Sequence, residues 1–105
     1  MHSRVTLLEV DVLRHDLDEA VERFKADVLP SLREQDGYEG VLVMVNPEGP
    51  GMIVSFWRDE AAMTAAGGFA SAALERFATI FRSPPGRGHY DVRVIDAPTG
   101  SELLP

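Results

Sequence analysis

The residue types that can do chemistry gather around "GMIVSFWRDEAAM", residues 51 to 63, which holds the only tryptophan, Trp57. Strand parity puts Ile53, Ser55 and Trp57 on one face. That face is either one wall of an aromatic-ligand pocket, with the indole N–H offered to a ligand oxygen, or plain packing at a strand–helix corner. Ser55, and Thr6 near the N-terminus, are hydroxyls on otherwise apolar strands. They can hold a phenol or quinone oxygen, or bond to backbone or water. Phe24, Met63 and Phe77 complete an apolar face with few ionisable groups, the composition of a small-molecule site.

The other candidates carry less chemistry. His89 and Tyr90 are adjacent in a strand and so point to opposite faces, which prevents joint acid–base action on one substrate. His2, His15 and His89 are scattered in the sequence, no two at ligand spacing, so no metal site is expected. Glu9 and Asp11 share a strand face and read as a solvated edge. "RSPPGRGHY" gathers Arg82, Arg87 and His89 in what reads as a loop. Gly67-Gly68 lacks the strand and lysine of a phosphate loop and, between helical segments, reads as a hinge or a lid over the pocket.

Composition narrows the classes. The chain has 105 residues, enough for one domain, and 45% are hydrophobic, ordinary for a globular protein. A formal charge of -7 argues against nucleic acid and against an anionic membrane surface. With no cysteine there is no disulfide, thiolate nucleophile or Cys-ligated metal. The N-terminus "MHSRVTLLEVDV" lacks the apolar core of a signal peptide, and no segment is apolar enough to span a membrane, so a cytoplasmic location is expected.

The elements that position these residues follow from hydrophobic period. "RVTLLEVDV" (4–12) reads as a strand. Asp16 with Glu19 forms a capping box opening a helix whose apolar stripe runs Leu17, Ala20, Val21, Phe24, Val28, Leu32. Pro30 should bend or loosen its last turn, and Gly37 should close it in the C′ role. "YEGVLVMVN" and "GMIVSFW" form a hairpin across "NPEGPG". A short helix starts at Asp59 and a second carries Phe69, Ala73, Leu74, Phe77, Ile80 and Phe81. "HYDVRVI" (89–95) is a fourth strand, and residues 96–105 are a tail. The order β-α-β-β-α-β predicts a single α+β domain of ferredoxin-like topology, its four-stranded antiparallel sheet covered by helices on one face.

Both sheet faces are apolar. Val41, Val43 and Val45 point one way and Leu42 and Met44 the other; Met52, Val54 and Phe56 back the Trp57 face. Helices cover one face only, so a second copy of the chain is expected on the other, giving a homodimer.

The passage "LREQDGYEG" from helix to strand, and a tryptophan closing the third strand ahead of an acidic residue and an Ala-rich helix, resemble the antibiotic biosynthesis monooxygenase family over roughly residues 4–95. The resemblance implies a dimeric α/β barrel with its pocket between sheet and helices. It also implies kinship with cofactor-free oxygenases of polycyclic phenols, quinol monooxygenases and haem-degrading enzymes. The phenol oxygenases' tryptophan falls on Trp57, but their asparagine falls on Ile53 and their tyrosine on Met63. The haem degraders' asparagine falls on Thr6, and their helical tryptophan and histidine have no counterpart here. The expected function is a monooxygenase without cofactor acting on a small phenol- or quinol-type aromatic. The alternatives are a non-catalytic dimer binding a small apolar ligand, or a lactone isomerase-like enzyme, which the resemblance includes but no acid–base pair supports.

Overall fold

A computed structural model describes residues 1–96. Apart from residue 96, the tail expected from there on lies outside the described residues. Strand β1 (His2–Glu9) leads through a turn to helix α1 (Leu17–Arg23). Asp16 caps α1, accepting from the Glu19 N–H at 3.2 Å. A π-helical turn (Phe24–Val28) then joins α1 to α2 (Leu29–Arg33). Its cause is local. Pro30 stands in the first turn of α2 and has no N–H to give, and the Leu29 N–H reaches back five residues to Phe24 O. The loosening expected at Pro30 thus falls on the turn before it.

Strands β2 (Tyr38–Val45) and β3 (Pro50–Trp57) form the hairpin, with a bulge between Tyr38 and Gly40. Helix α3 (Glu60–Ala65) is capped by Asp59, which accepts from the Ala62 N–H at 2.8 Å. Helix α4 (Gly67–Arg76), a 3-10 turn (Ala78–Ile80) and β4 (Gly86–Asp91) complete the fold. The antiparallel sheet has the order β2-β3-β1-β4, the ferredoxin-like arrangement.

Four local expectations need correction. Gly37 is not C′ of the helix, which ends at Arg33. It takes φ +80 in the turn before β2, where a Cβ would stand 2.5 Å from Ala62 Cβ. Gly67 and Gly68 are no hinge between helices, because they form the first turn of α4. That helix stops at Arg76 and does not continue through Phe81. Finally, β1 begins at His2 and β4 at Gly86, both earlier than expected.

Two apolar clusters lie between helices and sheet. One holds Trp57, Leu32, Ala62, Met63 and Ala66; the other holds Val28, Ala73, Phe77 and Ile80, and Phe24 and Phe69 pack against both. The opposite sheet face has no cover in the single chain. Leu42 and Met44 are 42% and 46% exposed there, and Leu7 and Tyr90 are exposed as well. Among the described residues no helix is long and apolar enough to cross a membrane.

Candidate functional site

The register of the sheet sets the site. Thr6 stands opposite Ile53, Arg4 opposite Ser55, and His2 opposite Trp57. All six side chains therefore point to the helix side. Above them lie the π turn and α4, and between the two layers is a cavity of about 120 Å³. Thr6, Ile53, Ser55 and Trp57 form its floor, while Phe24, Phe77 and the small residues Ala70 and Ala73 form its roof. A dry cavity of roughly 150 Å³ holds one benzene, so this volume matches a single aromatic ring.

Six of the seven residues singled out in the sequence (Thr6, Phe24, Ile53, Ser55, Trp57 and Phe77) line this cavity. Met63 does not. It is buried with Ala62 and Ala66 against Trp57, in the cluster beside the cavity. The Ala-rich segment of α3 thus packs closely on the tryptophan. The open volume lies instead under α4, where Ala70 and Ala73 leave it.

Trp57 combines both roles weighed for it. It is 1% exposed, meets the Tyr38 ring edge-on at 5.9 Å, and still presents surface to the cavity. Its N–H is not free for a ligand, because it donates to Ser55 Oγ at 2.9 Å. The Ser55 hydroxyl, buried itself, then keeps its own hydrogen to donate.

The residue that sequence reasoning missed is Arg4. It is the single charged residue on the cavity wall. Its Nη2 donates to Met63 O at 2.7 Å, near the C-terminal end of α3, where a cation is favoured. Gly67 lies beside the same nitrogen, where a Cβ would come within 3.6 Å. The Nε–H is buried and has no hydrogen-bond partner. No carboxylate pairs with Arg4 among the described residues. Burial, and secondarily the charge of Arg87, hold its pKa below the ordinary arginine value. A cation so placed lacks an anion. Parity was the available signal: Arg4 shares the face of Thr6.

The remaining candidates disperse. Arg82 pairs with Glu9 at 3.3 Å, Arg87 donates to Ser71, and Asp11 pairs with Arg14. Tyr90 faces the side away from the cavity. The histidines correct the sequence reading. His2 and His89 meet across β1 and β4, with His2 Nε2 2.9 Å from His89 Nδ1.

The comparisons with known proteins bear on this arrangement. The profile of the antibiotic biosynthesis monooxygenases matches residues 5–68. The chain belongs to the antibiotic biosynthesis monooxygenase family. No curated protein sequence matches it. Three solved structures similar to this family member share the fold over most of their length. A protein of unknown function from Nitrosomonas europaea is 21% identical with a TM-score of 0.71, covering 94% of this chain and 95% of that one. The ActVA-Orf6 monooxygenase of Streptomyces coelicolor, solved with nanaomycin D, is 18% identical with a TM-score of 0.71, covering 93% and 92%. SnoaB, a cofactor-independent oxygenase from Streptomyces nogalater, is 18% identical with a TM-score of 0.66, covering 90% and 94%. The fold class is that of the family's dimeric α/β barrels.

Proposed function

We propose that this family member is a monooxygenase that needs no bound cofactor, and that it takes a small phenol or quinol as its anion. The observation that carries this is Arg4: one cation, with an unpartnered buried Nε–H, on the wall of an otherwise apolar cavity of single-ring size. An apolar ligand without an anionic oxygen leaves that group unsatisfied, whereas a phenolate pairs with it. Among the structural relatives, SnoaB is a cofactor-independent oxygenase and the ActVA-Orf6 monooxygenase holds a small-molecule ligand, nanaomycin D, which supports oxygenase chemistry without a bound cofactor.

The wall offers no general base, and the proposal requires none. A free phenol ionises near pH ~10, and every tenfold preference for the anion lowers the bound group's pKa by about one unit. Arg4 supplies such a preference, so the phenolate is selected and its proton is left to solvent. The electron-rich ring carbon then reduces O₂. A C–O bond forms, the hydroperoxide loses water, and the balance is phenol plus O₂ to quinone plus water. The protein contributes orientation between Trp57 and the aromatic roof, the donors of Arg4 and Ser55, and exclusion of bulk water.

Two other readings fare less well. A lactone isomerase needs an acid–base pair, and the wall carries no carboxylate or imidazole. Haem fits neither the volume nor the donor set of this cavity. A binding module without turnover uses the same residues and differs only in outcome. The uncovered apolar face of Leu7, Leu42, Met44 and Tyr90 supports a second copy of the chain as its cover, making the working form a homodimer.

The test is oxygen uptake with a panel of single-ring phenols and hydroquinones, alongside Trp57 fluorescence quenching for binding. Uptake stoichiometric with quinone formation, abolished or at least tenfold reduced in Arg4→Met, supports the oxygenase. Saturable quenching with no uptake across the panel makes the protein a binding module.

A further inference from the structure

We propose a second site, for a divalent transition-metal ion of the zinc class, formed by His2, His89 and Glu60 at the β1–β4 edge of the sheet. His2 is on β1 and His89 on β4. Because His2 pairs with Asp91 and Arg4 with His89, both imidazoles project from the same, helix-facing side. Glu60 is the first residue of α3, the helix that packs over β1. One ligand atom from each of the three residues lies within 4.8 Å of the other two. None of the three lines the cavity, so the site is separate and does not rest on the oxygenase proposal.

The ring geometry is one step from coordination. His2 Nε2 and His89 Nδ1 are 2.9 Å apart, with ring centroids 5.2 Å apart and planes inclined at 43°. In that state one ring donates an N–H to the other's lone pair. Tetrahedral zinc with bonds of ~2.0–2.1 Å separates two nitrogens by about 3.3 Å. The rings therefore need to part by only about half an ångström, and the donating ring's proton shifts to its other nitrogen so that both facing nitrogens offer lone pairs to the ion. A hydrogen-bonded histidine pair alone accounts for the ring contact. It does not account for a carboxylate oxygen within 4.8 Å of a nitrogen on each ring.

The donor set selects the ion. Two imidazoles and one carboxylate favour zinc-class ions over magnesium and calcium, which take oxygen ligands. Three protein ligands leave a position for water, and Glu60 and His89 are exposed, so the ion has an entry path. The acidic surroundings, Asp91 opposite His2 and Asp59 beside Glu60, favour a cation. Arg4 and Arg87 lie on the same face as His89 and oppose it. An exchangeable ion that ties α3 and β4 to β1 is the result.

The experiment uses the full chain without an affinity tag. Zn²⁺ is titrated against a chromophoric chelator, and melting is followed with Zn²⁺ or Mg²⁺ added. The expected result is one Zn²⁺ per chain, a melting temperature that rises with Zn²⁺ and not with Mg²⁺, and a Co²⁺ visible spectrum of a low-coordinate nitrogen site. His89→Ala, at an exposed position, should weaken Zn²⁺ at least tenfold, and Glu60→Gln severalfold; His15→Ala should change nothing. Should the buried His2 prove necessary for folding, the His89 and Glu60 variants still decide the matter. Wild-type affinity in His89→Ala, or no saturation at one ion per chain, overturns the site.

Discussion

The indole N–H of Trp57 donates to the hydroxyl of Ser55, two residues earlier on the same strand face, at 2.9 Å. Both side chains are buried, so neither polar group has water as a substitute. Ser55→Ala should leave the indole N–H unsatisfied and cost about 1–3 kcal/mol of unfolding free energy. Trp57→Phe removes the donor and part of the ring together. The double variant should then cost less than the sum of the two singles, because the orphaned group is already gone. Denaturant unfolding of the four proteins closes the cycle; strict additivity would show that the bond contributes nothing.

The uncovered sheet face makes a prediction of a different kind. Leu42 is 42% exposed in the single chain and belongs to the face assigned to the partner copy. Light scattering at micromolar concentration should give twice the chain mass. Leu42→Asp should weaken association about a hundredfold or more, since an unpaired buried charge costs several kcal/mol. A monodisperse wild-type monomer removes the dimer from the proposed function.

How much of this was legible in the sequence differs from element to element. The element order was legible because the hydrophobic period switches cleanly from strand to helix, and Asp16 and Asp59 mark two helix starts. Strand β4 was misplaced for a reason outside its own residues. It was expected at 89–95, yet β1 begins at His2, which already pairs with Asp91, and the Val92 N–H then donates to Met1 O. The β1–β4 ladder ends there, and Val94 and Ile95 are exposed despite their strand propensity. Gly86 and Gly88 read as loop but pair because β1 is there to pair with. Pairing partners also explain the site. His2 and His89 are 87 residues apart in sequence and adjacent only through strand order, which spacing alone does not reveal. Arg4 was open to a parity argument and missed because a charge on a strand is usually at its solvated face.

Asp59 yields a pH prediction. Its carboxylate accepts from the Ala62 N–H, which, with the nearby Arg58 and the chain N-terminus, holds its pKa below the usual carboxylate value. A folded-state pKa lower than the unfolded one means the ionised cap stabilises above the unfolded value of ~3.9. That contribution fades as pH falls through the folded value. Asp59→Ala should therefore lower the melting temperature at pH 7, with the gap to wild type closing toward pH 3. A gap that stays constant or widens on acidification contradicts the assignment.

The last prediction separates a cavity from a merely loose core. Ala73 lies on α4 beneath solvent-excluding neighbours, is buried, and lines the space above Ser55 and Ile53. In a filled core, Ala73→Leu would force its extra carbons against packed atoms, at a cost of about 1–3 kcal/mol. Here a cavity of about 120 Å³ is available to take them. Burying those carbons favours folding by ~0.8 kcal/mol per methylene. The expected outcome is unchanged or raised stability together with loss of hydroquinone quenching of Trp57, because the leucine occupies the ligand's volume. Ala73→Ser is the size-matched control and should keep both folding and quenching. Loss of stability in the leucine variant with quenching intact would place the ligand elsewhere and leave Ala73 as core.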